Sequence, residues 1–145
     1  MNSVQKLMQS IPNGSDCAII VDDINRRYFT GMKSSAGVVV CFRDCAYLII
    51  DFRYIEKAKK IVSDCEVILQ ESKSILQIHN LLKRHGVKRV SIEAHSMTIE
   101  MLSKYTKAMP DIEFDTSNQL SDAIYSLRTV KSIQEVEKIK QAQAI

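Results

Sequence analysis

No stretch of this sequence approaches the ~20 consecutive apolar residues that a membrane-spanning helix requires. The opening segment, MNSVQKLMQSIPNG, also lacks the long apolar core of a secretory leader, because Gln5, Lys6 and Gln9 interrupt it. Its apolar positions Val4, Leu7, Met8 and Ile11 have instead the spacing of an amphipathic helix that stops at Pro12-Asn13-Gly14. A cytoplasmic location without membrane contact is expected. Cysteine is sparse, and none of Cys17, Cys41, Cys45 and Cys65 forms a C-x-x-C pair, which argues against a zinc site. All four fall in strand-like runs and read as reduced structural thiols. Cys41 and Cys45 flank a turn at Arg43-Asp44. A two-residue turn would place these thiols on opposite faces and a three-residue turn would bring them together, so a disulfide there stays open.

Charge of one sign is also missing. The net charge is +3, and Lys and Arg are scattered among acids, as in Arg53, Glu56, Lys57, Lys59, Lys60 and Asp64. A nucleic-acid binder would show a basic stripe or an aromatic stacking platform, and neither is present. The chain has no G-x-S-x-G, no Walker A sequence, no G-x-G-x-x-G and no H-E-x-x-H. Its histidines, His79, His85 and His95, lack the spacing of metal ligands, so no metal site is expected in this chain. Near a helix end, His85 suits the C-terminal dipole. The acids Asp22, Asp23 and Asp51 end predicted strands and could converge on a divalent ion, as in ribonuclease H-like folds. Turn or cap hydrogen bonds are the plainer role for them.

What is present is an alternation of elements over a length typical of one domain. Strands are predicted over Asp16 to Asp22, Ala36 to Phe42 and Cys45 to Asp51, the last two joined as a hairpin. Arg53 to Val62 has helical spacing, followed by a strand over Cys65 to Leu69 and a helix from Ser74 to His85 stopped by Gly86. A strand over Arg89 to Ile92, a helix over Thr98 to Met109, a short strand over Ile112 to Asp115 and a helix over Leu120 to Leu127 complete the order. A hairpin followed by strand–helix alternation predicts an α/β domain with a mixed sheet flanked by helices.

One segment carries several specific residues in order, INRRYFTGMKSSAGVVV and then IIDFRY. Tyr28 and Phe29 should anchor it while Gly31 permits a sharp backbone turn. Lys33, Ser34 and Ser35 then read as an exposed polar loop. Asp51 ends its strand, Arg53 can pair with a carboxylate, and Tyr54 starts the next helix. These three side chains would equally serve to lock a strand-to-helix corner, and the loop could equally be a mobile solvent loop.

The sequence Y-F-T-G-M, then A-G-V-V-V, then I-I-D-F-R-Y, resembles the N-terminal domain of the creatinase, prolidase and Xaa-Pro aminopeptidase family. That domain shows Y-L-T-G-F, a glycine-led strand and L-x-D-x-R-Y. The later V-S-I-E-A is similar to a family strand ending in glutamate, here Glu93. The tail LRTVKSIQEVEKIKQAQAI resembles the family hinge. Ser132 and Glu135 read there as a capping box, and Ile133, Val136, Ile139 and Ala142 as an apolar stripe without a stop signal.

This resemblance implies a domain over residues 1–130. Residues 131–145 would start a hinge helix into an absent catalytic domain of pita-bread fold. In the family that domain holds two divalent metal ions (manganese, cobalt or zinc) and cleaves bonds preceding proline. The metals activate a bridging water and polarise the scissile carbonyl. No metal ligand or catalytic residue maps onto this chain, so the fragment itself should be inert. The resemblance further implies a homodimer, with proline-containing peptides and its own catalytic domain as partners. In relatives the N-terminal domain helps close the partner subunit's active site. By position, Lys33, Ser34 and Ser35 are the residues implied to touch the substrate end, with Tyr28, Gly31, Asp51, Arg53 and Tyr54 shaping the site edge. Dipeptidase-like members carry more charge and histidine in that loop. Two rival readings share the fold, a catalytically dead peptidase-like binding module of histone-chaperone type and a creatinase-type C–N hydrolase without metals. A nucleic-acid-processing ribonuclease H-like enzyme fits least.

Overall fold

The structure of the protein, a computed structural model, describes residues 2–129. The capping box at Ser132 and Glu135 and the stripe from Ile133 to Ala142 lie outside the described residues. Helix α1 (Ser3–Ser10) opens the chain as expected. It is capped reciprocally, because the Asn2 side chain accepts from the Gln5 N–H at 2.8 Å while Gln5 Oε1 accepts from the Asn2 N–H at 3.0 Å. Then come β1 (Cys17–Ile20), α2 (Asp23–Thr30), β2 (Val38–Phe42), β3 (Ala46–Ile50), α3 (Ile55–Ile61) and β4 (Glu66–Leu69). Helix α4 (Ser74–Arg84), β5 (Arg89–Ile92), α5 (Ile99–Ala108), β6 (Glu113–Asp115) and α6 (Gln119–Thr129) complete the order.

The strands form one mixed sheet in the order β4-β3-β2-β1-β5-β6. Only β2 runs against the rest, antiparallel to both β1 and β3, while β3–β4, β1–β5 and β5–β6 are parallel. The α/β expectation therefore holds. Because β1 alternates Cys17 and Ile19 toward one face and Ala18 and Ile20 toward the other, each face carries its own core. Helices α1, α2, α3 and α6 cover one face with Leu7, Phe29, Ala58 and Leu120. Helices α4 and α5 cover the other with Ile78, Leu82 and Tyr105. Burial on both faces explains why the central strands read as unbroken apolar runs. Each fully buried Leu, Ile or Phe side chain contributes about 1.5–3 kcal/mol.

The hairpin turn has two residues, since the Phe42 N–H donates to the Cys45 carbonyl at 2.8 Å and Cys41 pairs with Ala46. Cys41 therefore faces one core and Cys45 borders the other, and all four thiols are free. The disulfide alternative does not hold.

Helix α2 is the element that the sequence does not announce. Its residues, DINRRYFT, are polar and short, and the eye takes Asp22 and Asp23 as strand-end acids. Asp22 is instead its N-cap, accepting from the Asn25 N–H at 3.0 Å, which confirms the cap role for that acid. Gly31 ends the helix at φ 75°, where its N–H returns to the Arg27 carbonyl at 2.8 Å.

Candidate functional site

The strand directions place the C-terminal ends of five strands, and the entry into β2, along one edge of the sheet. In open α/β sheets this is the edge where ligands bind. The segment between α2 and β2, which carries Lys33, Ser34 and Ser35, runs along it.

Its conformation is imposed from beneath by Arg26. That side chain is buried at 3% exposure, and its guanidinium donates to the Val21 carbonyl (2.7 Å), the Ser34 carbonyl (2.6 Å) and Ser34 Oγ (3.3 Å). Burial pulls the Arg26 pKa down, and the carboxylates of Asp23, Glu93 and Asp22 counter it. Gly37 makes room for this arrangement. At φ 141°, a Cβ there would sit 3.3 Å from Arg26 Nε and 3.4 Å from the Ile49 carbonyl oxygen. Ser34 is accordingly buried, contrary to the expectation of a fully exposed loop, while Lys33 and Ser35 remain exposed.

Ser35 is tied to the following corner. Its hydroxyl lies 2.7 Å from the Tyr54 hydroxyl, which also accepts from the Ser35 N–H at 3.4 Å. These bonds to Ser35 lower the Tyr54 pKa. Asp51 accepts from Arg53 three times, from the backbone N–H at 3.0 Å, from Nε at 3.2 Å and from Nη2 at 2.7 Å. The Arg53 bond holds the Asp51 carboxyl below the usual carboxylate range, and the guanidinium sits 5.2 Å from the centre of the Tyr54 ring. The corner-locking role of Asp51 and Arg53 is thus realised.

Between loop and helices lies a cleft of about 580 Å³. Lys33, Ser34, Ser35 and Tyr54 line one side, Asp23, Ile24 and Arg27 of α2 another, and Lys57 of α3 closes it. Three cations and one carboxylate give it a positive rim suited to an anionic group. A second cleft of about 480 Å³ lies on the other side of the loop, where Ser35 to Val38 face Ser74, Ile75, Met101 and Lys104.

Tyr28 and Gly31 do not line the positive cleft. The Tyr28 hydroxyl donates to the Leu127 carbonyl at 3.0 Å, tying α2 to the end of α6, and Gly31 serves the helix cap. Glu93, the strand-ending glutamate, is a buried organiser rather than a reactive group. Its carboxylate accepts from the N–H groups of Val21 (2.6 Å) and Asp22 (3.0 Å) and from Asn25 Nδ2 (2.6 Å). Asn25 Oδ1 in turn accepts from Arg128 at 3.2 Å. Burial pushes the Glu93 pKa up, and these hydrogen bonds oppose it. The residues that sequence reasoning missed here are Arg26, Arg27 and Lys57. The pair Arg26-Arg27 offered no signal of which guanidinium turns inward. His79 and His85 lie away from the loop, and the His95 N–H donates to Ser121 Oγ at 3.2 Å. His79 pairs with Asp111 at 2.6 Å, and the His85 ring stacks on Phe42 (3.9 Å between centres) with Nε2 3.0 Å from the Tyr47 hydroxyl.

Residues 1–130 match the family described as Creatinase/Prolidase N-terminal domain. A relative from Bacillus subtilis (strain 168), the uncharacterized peptidase YqhT, is 33% identical over 91% of this chain and 36% of its own length. The Xaa-Pro dipeptidase of Bacillus anthracis superposes with TM-score 0.82 at 26% identity, over 92% of this chain and 37% of that one. The N-terminal domain of the cytoplasmic peptidase PepQ of Mycobacterium tuberculosis H37Rv is similar over 88% of this chain and 100% of that domain, with TM-score 0.74 and 27% identity. This chain thus spans about a third of the length of its longer relatives. No helix among the described residues is long and apolar enough to cross a membrane. The family match over residues 1–130 and the structural superpositions agree, and the chain belongs to the creatinase/prolidase N-terminal domain family.

Proposed function

We propose that this chain is the N-terminal domain of a cytoplasmic, metal-dependent Xaa-Pro peptidase, and that it shapes the active site of a partner subunit in a homodimer. The observation that carries this reading is the loop from Lys33 to Ser35, held rigid by Arg26 and Tyr54 while Lys33 and Ser35 stay open on a positively rimmed cleft. A preorganised loop loses little entropy on meeting a ligand. Lys33, Arg27 and Lys57 suit a carboxylate, the group that ends every peptide, and Ser35 offers a hydroxyl beside them. The relatives, an Xaa-Pro dipeptidase among them, supply the substrate class. Ile24, Phe52 and Ile99 are 57%, 79% and 89% exposed near the same edge, apolar surface that a catalytic domain or second subunit would cover. The two divalent ions of such an enzyme belong to its catalytic domain. No residue of this chain is assigned to them.

Two measurements test the reading. The 145-residue chain, supplied with an Xaa-Pro peptide and manganese or cobalt, should show no turnover, and turnover would place the chemistry in this domain after all. In the complete protein, Lys33→Ala and Ser35→Ala should raise KM several-fold with kcat nearly unchanged, the signature of lost ground-state binding. Unaltered KM in both variants would remove the loop from the substrate site.

A further inference from the structure

At the opposite edge of the sheet, the two-residue turn of the β2–β3 hairpin meets the C-terminal end of α4. This juxtaposition brings together the side chains of Asp44, Cys45 and His85, whose ligand atoms all lie within 4.8 Å of one another. We propose that these three side chains form a binding site for a zinc ion, which clips the hairpin turn to the end of α4.

The donor set determines the choice of ion. A thiolate, an imidazole and one carboxylate suit zinc, whereas magnesium and calcium prefer all-oxygen shells. Three protein ligands leave a fourth position for water. The geometry is held from outside the triad. His85 is fixed by stacking on Phe42 at an interplanar angle of 16°, and its Nε2 lies 3.0 Å from the Tyr47 hydroxyl. Tyr47 stands two residues from Cys45 on the same face of the sheet. As the Zn–S bond forms, the thiol proton leaves to solvent.

The surrounding charges favour a cation. Asp44 is next to the thiol in the chain, Glu66 pairs with Tyr47 across the sheet, and both carboxylates act on Cys45, while Arg84 acts on Tyr47. Arg43 is turned away, its Nη2 donating to the Ser15 carbonyl at 2.8 Å and the Pro12 carbonyl at 3.2 Å. Asp16, at the edge of the same depression, is already occupied by the N–H groups of Lys88 and Arg89. The triad is invisible to spacing rules because Asp44 and Cys45 are adjacent while His85 lies 40 residues beyond Cys45.

Cobalt(II), a spectroscopic stand-in for zinc, tests the site in the reduced 145-residue chain. One equivalent should bind with a thiolate-to-cobalt charge-transfer band, and zinc should displace it. Cys45→Ser should abolish the band. His85→Gln, and Asp44→Asn on the exposed turn, should each weaken zinc by more than the about 10–100-fold carried by outer-shell partners. His95→Gln, exposed and remote from the triad, should bind as the unaltered chain does. Zinc should also raise the thermal midpoint of the unaltered chain and leave that of Cys45→Ser unmoved. Absence of saturable binding at one equivalent, a band that survives in Cys45→Ser, or unaltered affinity in both Asp44→Asn and His85→Gln would overturn the site.

Discussion

Arg26 holds Ser34 twice, through Nη2 to its carbonyl at 2.6 Å and through Nε to its hydroxyl at 3.3 Å, and so sets the loop from inside the domain. The residues that face solvent in this loop are placed by one that does not. Replacing Arg26 with methionine removes these bonds and the one to the Val21 carbonyl, leaving buried acceptors unpaired. The expected loss is at least about 3 kcal/mol of stability in urea unfolding, since each of the hydrogen bonds to the charged guanidinium is worth about 1.5–3 kcal/mol. Arg26→Lys should recover only part of it, because a single ammonium cannot reproduce the fork.

Gly37 depends on the same guanidinium. Gly37→Ala forces a side chain into φ 141° and sets its Cβ 3.3 Å from Arg26 Nε. A cost of about 1–3 kcal/mol is expected for the strained backbone alone. Thermal unfolding measures it, and an unchanged midpoint would show that the loop relaxes freely.

Helix α2 rests on its cap. Asp22→Ala removes the acceptor for the Asn25 N–H and should cost about 1 kcal/mol. Hydrogen exchange should quicken first at Asn25 and Arg26, whose amides belong to that opening turn.

Glu93 makes stability depend on pH in a definite sense. Burial raises its folded pKa above the usual 4.5, so the folded state holds more protons than the unfolded state just above that pH. Stability from this group therefore falls as pH rises from 4.5 through the raised folded value. Glu93→Gln should remove that slope and lower stability at acid pH, because its single oxygen serves the Val21 and Asp22 N–H groups and its NH2, a donor, then faces Asn25 Nδ2. Unfolding midpoints across this range, compared with the parent chain, test the sign. An unchanged slope would mean that the Glu93 pKa is not raised in the folded protein.

Much of the fold was legible in the residue order. The runs DCAIIVD, AGVVVCF and CAYLIID foretold the buried strands, and Arg43-Asp44 marked the hairpin turn, whose two-residue register the structure decided. Helix α2 was not legible, since DINRRYFT has little apolar periodicity and its stability comes from Asp22, Gly31 and the packing of Phe29. Of the candidate site, only the clustering was legible, and by half. Lys33, Ser35 and Tyr54 do meet around one cleft, yet Ser34 turned out to be a buried tether.

The sequence by itself determined what depends on near neighbours, namely strand alternation, the helical stripes, the caps and the family motifs. These signals have periods of two to four residues and need no knowledge of the sheet order. Only the tertiary structure decided which of Arg26 and Arg27 turns inward, that Glu93 serves the start of α2, and that Asp44 and Cys45 meet His85. Arg26 reaches only as far as Val21 and Ser34, but the Glu93 and His85 contacts join residues far apart in the chain. They exist because β5 lies parallel beside β1 and because α4 crosses the face behind the hairpin.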